Sequence, residues 1–333
     1  MSGAPGPVAI MGAGSVGCYL GGRLQAAGAK VHYVGRPRML AALREHGLTV
    51  TDRDGGRCVL PPASLHLHVS PPATASLVLL CVKSGATAEA AAQLATALPP
   101  GTLVVSMQNG VTNVEVAARA APALDWLPGM VPFNIAELAP GHVHRGSAGR
   151  LAAQDHPVLR DWLPFFKEAG LPLVLHADLA PVQWGKLLLN LNNPVNALSG
   201  LPLRTELLDR DCRRAWAALQ VEALAALRAA GIVPAQMTPL PPQRLPLVLR
   251  LPNWLFERVA KRMLKIDAHA RSSMADDLAL GRPTEVNAIC GAVVRLAHLH
   301  GLDAPRNARM VELLSVAQPT PIGGRALRRA LGL

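Results

Sequence analysis

Aromatic side chains make up only 3% of this 333-residue chain, with 2 Tyr, 4 Phe and 5 Trp. A core must therefore be built from Ala, Leu and Val. Charged residues are also sparse, at 17% against 50% hydrophobic residues. A disordered chain, which lacks the apolar surface to offset ordering entropy, is excluded. No run of about 18 uncharged apolar residues occurs, so no integral membrane segment is expected. The first strand-like run starts at Val8, only seven residues in, which argues against a cleaved signal peptide. The cysteines Cys18, Cys58, Cys81, Cys212 and Cys290 form no Cys-x-x-Cys pair. That spacing speaks against a disulfide scaffold or a metal site, and it suits a reducing, cytoplasmic setting.

What the chain holds in excess is positive charge, a formal +11. Residues 1–180 carry 13 Lys and Arg against 11 Asp and Glu, whereas residues 181–333 carry 20 against 11. The excess therefore belongs to the second half. Nucleic acid, a membrane surface or an anionic small molecule would each answer it. No helix-turn-helix, zinc-finger or aromatic-basic RNA motif accompanies the charge, so nucleic acid is set aside. The stretch Leu245–Lys265, with Trp254, and the tail Arg325–Arg329 concentrate it. Residues 245–265 are a candidate surface for a partner or a membrane.

The first half alternates short apolar runs with Ala-rich helical ones. Val8–Met11, Val31–Val34, Leu77–Val82 and Thr102–Met107 read as strands buried on both faces of a parallel sheet. Leu127–Ile135, Arg150–Ala153 and Pro172–Leu175 extend it. Val16–Ala27 and Thr87–Ala97 read as helices between the strands. The pattern predicts an α/β fold, a doubly wound Rossmann-type sheet over residues 1–180. From residue 181 helical runs dominate: Val182–Asn193, Arg210–Ala230, Leu255–Lys265 and Glu285–His300. Residues 181–333 are expected to form an all-helical domain that binds substrate and carries the chemistry. A helical second domain is compatible with a homodimer.

Gly12, Ala13, Gly14, Ser15, Val16 and Gly17 follow the first strand and open the first helix in G-x-G-x-x-G register. Gly12 allows the tight turn, Gly14 the approach of a pyrophosphate, and Gly17 the packing of helix on strand. An NAD site usually ends the second strand in an acid. Here Val31-His-Tyr-Val runs into Gly35-Arg36-Pro37-Arg38, with no acid and two guanidiniums. Arg36 suits the 2′-phosphate of NADP(H), while Arg38 suits solvent. Lys83 and Asn109 stand in loops after two further strands, along the sheet edge where such ligands bind.

In Trp184-Gly-Lys-Leu-Leu-Leu-Asn-Leu-Asn-Asn-Pro194, residues Lys186, Asn190 and Asn193 are spaced i, i+4 and i+7. One unbroken helix would place them on a single face. A desolvated lysine among amides is a competent proton donor. The bland alternative is a lysine that snorkels to water and asparagines that cap the helix before Pro194. Further on, either Ser272 or Ser273 can bond a carboxylate. Thr284 reads as a helix N-cap with Glu285 in the first turn.

Together these motifs resemble the 2-dehydropantoate 2-reductases, or ketopantoate reductases, from Val8 to about residue 315. The anchors are Gly-Ala-Gly-Ser-Val-Gly (12–17), Val-Lys-Ser (82–84), Gln-Asn-Gly-Val (108–111), Trp-Gly-Lys-Leu-Leu-Leu-Asn (184–190), Ser-Ser-Met-Ala-Asp-Asp-Leu (272–278) and Thr-Glu (284–285). The resemblance implies a Rossmann-type domain followed by a 6-phosphogluconate dehydrogenase-like helical domain. It implies reduction of a small 2-oxo acid, 2-dehydropantoate, to (R)-pantoate with NADPH, a step of pantothenate biosynthesis. By the same resemblance Lys186 is the general acid and Glu285 an acid near both cofactor and ketone. Asn190, Asn193 and Ser273 match substrate contacts. Lys83 and Asn109 match cofactor contacts, Asn109 also facing substrate.

The chain departs from the family in four places. Only two residues separate Asn190 from Asn193 where the family has three, which leaves Asn192 and Asn193 as rivals for one role. Leu203 and Ala270 stand where the family carries asparagines. The stretch 236–265 is longer than in compact members. These departures motivate an alternative, reduction of a different and more apolar 2-oxo acid or ketone. A non-catalytic NADP-binding redox sensor is the third reading.

Overall fold

Runs that bury both faces become strands in this computed structural model, which describes residues 5–261, 263–264, 267, 270–316 and 320–333. In chain order the first six strands are β1 (Val8–Met11), β2 (Val31–Val34), β3 (Leu48–Asp52), β4 (Arg57–Leu60), β5 (His66–His68) and β6 (Leu77–Leu80). The next six are β7 (Leu103–Ser106), β8 (Asp125–Met130), β9 (Ile135–Ala139), β10 (His142–Arg145), β11 (Leu151–Gln154) and β12 (Leu173–His176). The chain divides into two compact units, Met1–Leu179 and Ala180–Leu333.

In the first unit eight strands form one sheet in the order β12–β11–β8–β7–β6–β1–β2–β5. From β8 to β5 all neighbours run parallel, and only β11 runs against β8. Strand β1 lies between β2 and β6, so the strand order reverses there. That reversal opens a crevice at the carboxyl ends of the strands, the usual ligand position in such sheets. Ile10, Leu77 and Leu79 pack into the core on one side of the sheet, Ala9, Val78 and Leu80 into that on the other.

A second sheet, β4–β3–β10–β9, is absent from the sequence expectation. Its strands are short and partly exposed, so they carry no apolar run. The single expected strand over Leu127–Ile135 is two, β8 and β9, in different sheets. Pro132 stands between them and has no N–H to continue a ladder. The second sheet packs on the helix Ser15–Ala26, where a Cβ on Gly22 would come within 2.6 Å of Val50. Asp52 locks the junction: it accepts from the Tyr19 hydroxyl at 2.6 Å and pairs with Arg145 at 2.9 Å and Arg23 at 3.5 Å.

At the β2–β5 edge, His32 Nδ1 lies 2.9 Å from His68 Nε2, and His66 stacks beside them with ring centroids 5.3 Å from His32. Burial, then the charges of His68 and His66, lowers His32 from 6.5 to about 4. The unfolded chain therefore takes up a proton that the folded one refuses as pH falls from 6.5 to 4. The folded state therefore loses stability over that window. Thermal melts should show a smaller drop in Tm between pH 7 and pH 4.5 for His32→Gln than for the parent. Equal drops would remove His32 as the cause.

The described residues of the second unit form helices and the loops between them, with no strand. Its helices are Ala180–Asn190, Asn192–Ser199, Leu203–Leu208, Arg210–Ala229, Leu245–Leu249, Asn253–Val259, Ser273–Ala279, Val286–Leu299, Pro305–Ser315 and Gly323–Ala330. Two expected helices are corrected. Val182–Asn193 breaks at Leu191, because Pro194 has no N–H for the Asn190 carbonyl and its ring crowds that carbonyl. The asparagines therefore do not cap a helix ahead of Pro194; the chain resumes helix through it to Ser199. Leu255–Lys265 is instead Asn253–Val259, and Lys265 lies outside the described residues. In the basic tail, Arg328 pairs with Asp211 at 3.0 Å.

Candidate active site

The glycine loop meets each demand of a phosphate cradle. Gly12 has φ +111°, and a Cβ there would come within 2.7 Å of the Val82 amide nitrogen. The loop after β1 therefore lies flush against the loop after β6, which only glycine permits. A Cβ on Gly17 would collide with the Gly12 carbonyl oxygen and lie 2.7 Å from Ile10 Cγ2. Around Gly14 nothing lies within 4 Å of a Cβ, so open space faces the loop where a pyrophosphate would approach. The Gly12 and Ala13 amides donate to Val34 O at 2.9 and 3.0 Å, tying the loop to the end of β2. Ser15 and Val16 begin the first helix, whose leading amides are oriented for an anion.

Strand β2 runs into Gly35 and Arg36 with no acid at its end. A Cβ on Gly35 would lie 3.0 Å from Ala13 Cβ, so the next residue, Arg36, leaves the sheet beside the glycine loop. Arg36 is exposed at the start of the helix Pro37–His46. Arg38 is exposed on that helix. The residues present fit a 2′-phosphorylated dinucleotide.

Lys83 and Asn109 follow β6 and β7, and a polar network that sequence reasoning missed holds their loops together. Gln108 Nε2 donates to Val82 O at 2.9 Å and to Thr87 Oγ1 at 2.8 Å, and its Oε1 accepts from Ser106. Asn113 Nδ2 and Ser84 Oγ both donate to the Asn109 carbonyl, at 2.6 and 3.0 Å. Buried polar groups of this kind rigidify only when they are paired, as these are. Gln108 was legible as a polar residue directly after an apolar strand. Thr87 and Asn113 carried no signal.

In the second unit, Lys186 sits on a helix held from two sides. A Cβ on Gly185 would clash with Ala235 O, so glycine lets the segment around Ala235 lie against the helix. From the other side Trp216 Nε1 and Gln220 Nε2 both donate to Leu188 O, at 3.3 and 3.0 Å. Lys186 keeps partial solvent access, yet desolvation is the larger influence on its ammonium and lowers it from 10.5 to about 8. The Glu285 carboxylate opposes that shift. Glu285 itself occupies the N-cap position of Val286–Leu299 and makes no side-chain capping bond. Thr284 is therefore not the cap, and capping does not account for the Glu285 carboxylate.

The break at Leu191 separates the amides. Lys186 and Asn190 share one helix, while Asn193 belongs to the next. Asn192 and Asn193 differ in burial. Asn192 donates to Glu206 Oε2 at 3.0 Å inside the core, where burial raises the Glu206 carboxyl to about 8. Asn193 is partly exposed, and its carbonyl accepts from Ser272 Oγ at 3.3 Å. The fully buried Asn196, which sequence reasoning passed over, accepts from the Ser272 amide at 2.9 Å. Ser272 Oγ caps the helix Ser273–Ala279 through Ala275 N. Ser273 is exposed at the start of that helix. Asn190, Asn193 and Ser273 have no side-chain partner among the described residues.

The comparisons agree with this layout. The family model described as Ketopantoate reductase PanE/ApbA matches residues 8–157, and its companion for the C terminal matches residues 178–318. The chain belongs to the ketopantoate reductase family. Membership makes it an oxidoreductase that acts on a CH–OH group with a nicotinamide dinucleotide. A 2-dehydropantoate 2-reductase of Halobacterium salinarum is 29% identical, covering 93% of this chain and 98% of the relative. The crystal structure of a PanE/ApbA family ketopantoate reductase from Ralstonia eutropha JMP134 is similar with a TM-score of 0.78 and 28% identity. That match covers 98% of this chain and 100% of the other. D-mandelate dehydrogenase with NADH and anilino(oxo)acetate shares the fold, with a TM-score of 0.76, 17% identity and coverage of 98% and 99%. Among the described residues no helix is long and apolar enough to cross a membrane, and no cluster of His, Cys, Asp and Glu could hold a metal.

Proposed function

We propose that this ketopantoate reductase family member reduces the ketone of 2-dehydropantoate to (R)-pantoate with NADPH, and that Lys186 is its general acid. The observation that carries the reading is the desolvated Lys186 ammonium, lowered to about 8 beside Glu285. A proton donor works best when its pKa lies near the working pH. NADPH, when bound, would supply the hydride that the ketone carbon takes up. Lys186 gives its proton to the carbonyl oxygen. Glu285 keeps the ammonium charged at neutral pH by offsetting its desolvation. Asn190 and Asn193 offer amides to the substrate, and Ser273 offers its hydroxyl to the carboxylate. In the first unit Gly12 to Gly17 cradle the pyrophosphate, Lys83 and Asn109 contact the dinucleotide, and Arg36 grips the 2′-phosphate.

Purified protein with NADPH and ketopantoate should lose absorbance at about 340 nm as the nicotinamide is oxidised. Arg36→Ala should raise KM for NADPH by about 10–100-fold, the loss of a bidentate charged pair, and leave KM for NADH near its parent value. Equal changes for both cofactors would overturn the role of Arg36.

A more apolar 2-oxo acid is the second reading, and one contact favours it. The Leu203 amide donates to Ala270 O at 2.8 Å, which brings the two departures from the family together beside the turn that carries Ser273. In the same assay, a higher kcat/KM for an unhydroxylated 2-oxo acid than for ketopantoate would select it.

A further inference from the structure

The reaction accounts for few of the cations in the second half of the chain. A cavity of about 550 Å³ in the helical unit is lined by Arg204, Glu257, Arg258, Lys261 and Leu264. Its volume falls in the range of about 300–1,000 Å³ typical of small-molecule sites. None of the five residues is assigned to the reductase chemistry. Arg204, Arg258 and Lys261 form no ion pair among the described residues, and Glu257 is the one acid in the lining. Like charges gathered around one space repel, and a bound anion would relieve that repulsion.

The walls of this cavity are held in place by a buried side chain. Arg213 is fully buried, and no carboxylate pairs with it among the described residues. Its guanidinium donates to Leu207 O, Leu249 O and Leu251 O at 2.8, 3.1 and 2.8 Å, and to Asn253 Oδ1 at 2.8 Å. Its Cζ lies 4.1 Å from the centre of the Phe256 ring. Leu207 belongs to the helix that carries Arg204, while Asn253 and Phe256 belong to the helix that carries Glu257 and Arg258. One arginine thus sets the two cation-bearing walls against each other before any ligand arrives. Pre-set walls lower the ordering cost of binding.

We propose that this cavity is a second anion site, separate from the reductase chemistry, that takes a small phosphorylated molecule carrying two or more negative charges. Among the described lining residues three cations face one carboxylate, which calls for more than a single carboxylate ligand. Two of the three are guanidiniums, whose forked donors match phosphate oxygens.

The test uses the full chain saturated with NADP, so that the glycine loop is occupied, and inorganic pyrophosphate as the probe. Trp254 reports on it: it is 72% exposed and stands three and four residues before Glu257 and Arg258. Its fluorescence should change saturably with a Kd below about 1 mM at low salt. Calorimetry should give the same Kd. Arg258→Ala combined with Lys261→Ala, and separately Arg204→Ala, should each weaken binding about tenfold with Tm unchanged. Arg36→Ala should leave it unchanged. Absence of saturable binding, parent-like binding by the double variant and by Arg204→Ala, or displacement of pyrophosphate by ketopantoate would overturn the proposal. So would binding to phosphatidylserine vesicles without binding to pyrophosphate. Loss of reductase activity in a Lys186 variant leaves each of these outcomes readable.

Discussion

Replacing Lys186 by Ala should lower kcat by about 10²–10⁴-fold, the usual contribution of a positioned general acid. The loss should fall on kcat more than on KM, because the proton moves only as the ketone is reduced. The pH profile gives a second readout. The acid is active while protonated, and its ammonium titrates at about 8. The parent kcat should therefore be flat below that value and fall about tenfold per pH unit above it. Glu285→Gln removes the charge that holds the ammonium up, so the break should move to lower pH. In Lys186→Ala the break should vanish. A variant that retains most of the parent kcat, or still breaks near the same pH, would remove Lys186 from the role.

The same lysine should also cost stability. Burial lowers it from 10.5 to about 8, so folding is opposed wherever the unfolded chain holds the proton more tightly. The penalty is full below pH 8 and fades as pH rises to 10.5. Lys186→Met should raise the Tm at pH 7, by on the order of 2 kcal/mol of stability. A group retained against stability is the signature expected of chemistry rather than of packing.

Two glycines three residues apart should fail in different ways. In Gly17→Ala the new methyl meets a backbone carbonyl, Gly12 O, and the Ile10 side chain at 2.7 Å. Neither the strand nor the loop can yield without moving the other, so the helix Ser15–Ala26 must lift from β1. A lower Tm by several degrees and loss of NADPH binding should appear together, a cost of about 1–3 kcal/mol for overpacking. In Gly14→Ala the methyl meets nothing within 4 Å, so the Tm should hold. NADPH affinity should still fall more than tenfold, because the methyl occupies the approach of the pyrophosphate. Equal Tm losses in both variants, or unimpaired NADPH binding by Gly14→Ala, would refute this division of labour.

The legibility of each feature follows from the distance over which it is determined. Strands β1, β2, β6 and β7 and the glycine loop are visible because burial on both faces and a positive φ act on consecutive residues. Strands β3, β4, β9 and β10 are hidden: their burial comes from packing on the helix Ser15–Ala26, which no local pattern records. The spacing of Lys186, Asn190 and Asn193 assumed one helix, which the structure divides at Leu191 because Pro194 four residues on from Asn190 lacks an N–H. Ser272 and Ser273 are equivalent as residues. They part only because Asn196, 76 residues away, takes the Ser272 amide.

The sequence by itself determined the dinucleotide loop, the absence of an acid after β2, the helical second half and the identity of the candidate proton donor. Each depends on neighbours in the chain. Tertiary structure alone decided that Asn192 serves Glu206 while Asn193 stays accessible, that Ser273 is the exposed serine, and that Lys186 is desolvated beside Glu285. It also gathered Arg204, Arg258 and Lys261 around one cavity. These outcomes depend on which distant side chain reaches a buried group first, and burial makes an unpaired polar atom costly enough to choose one partner over another.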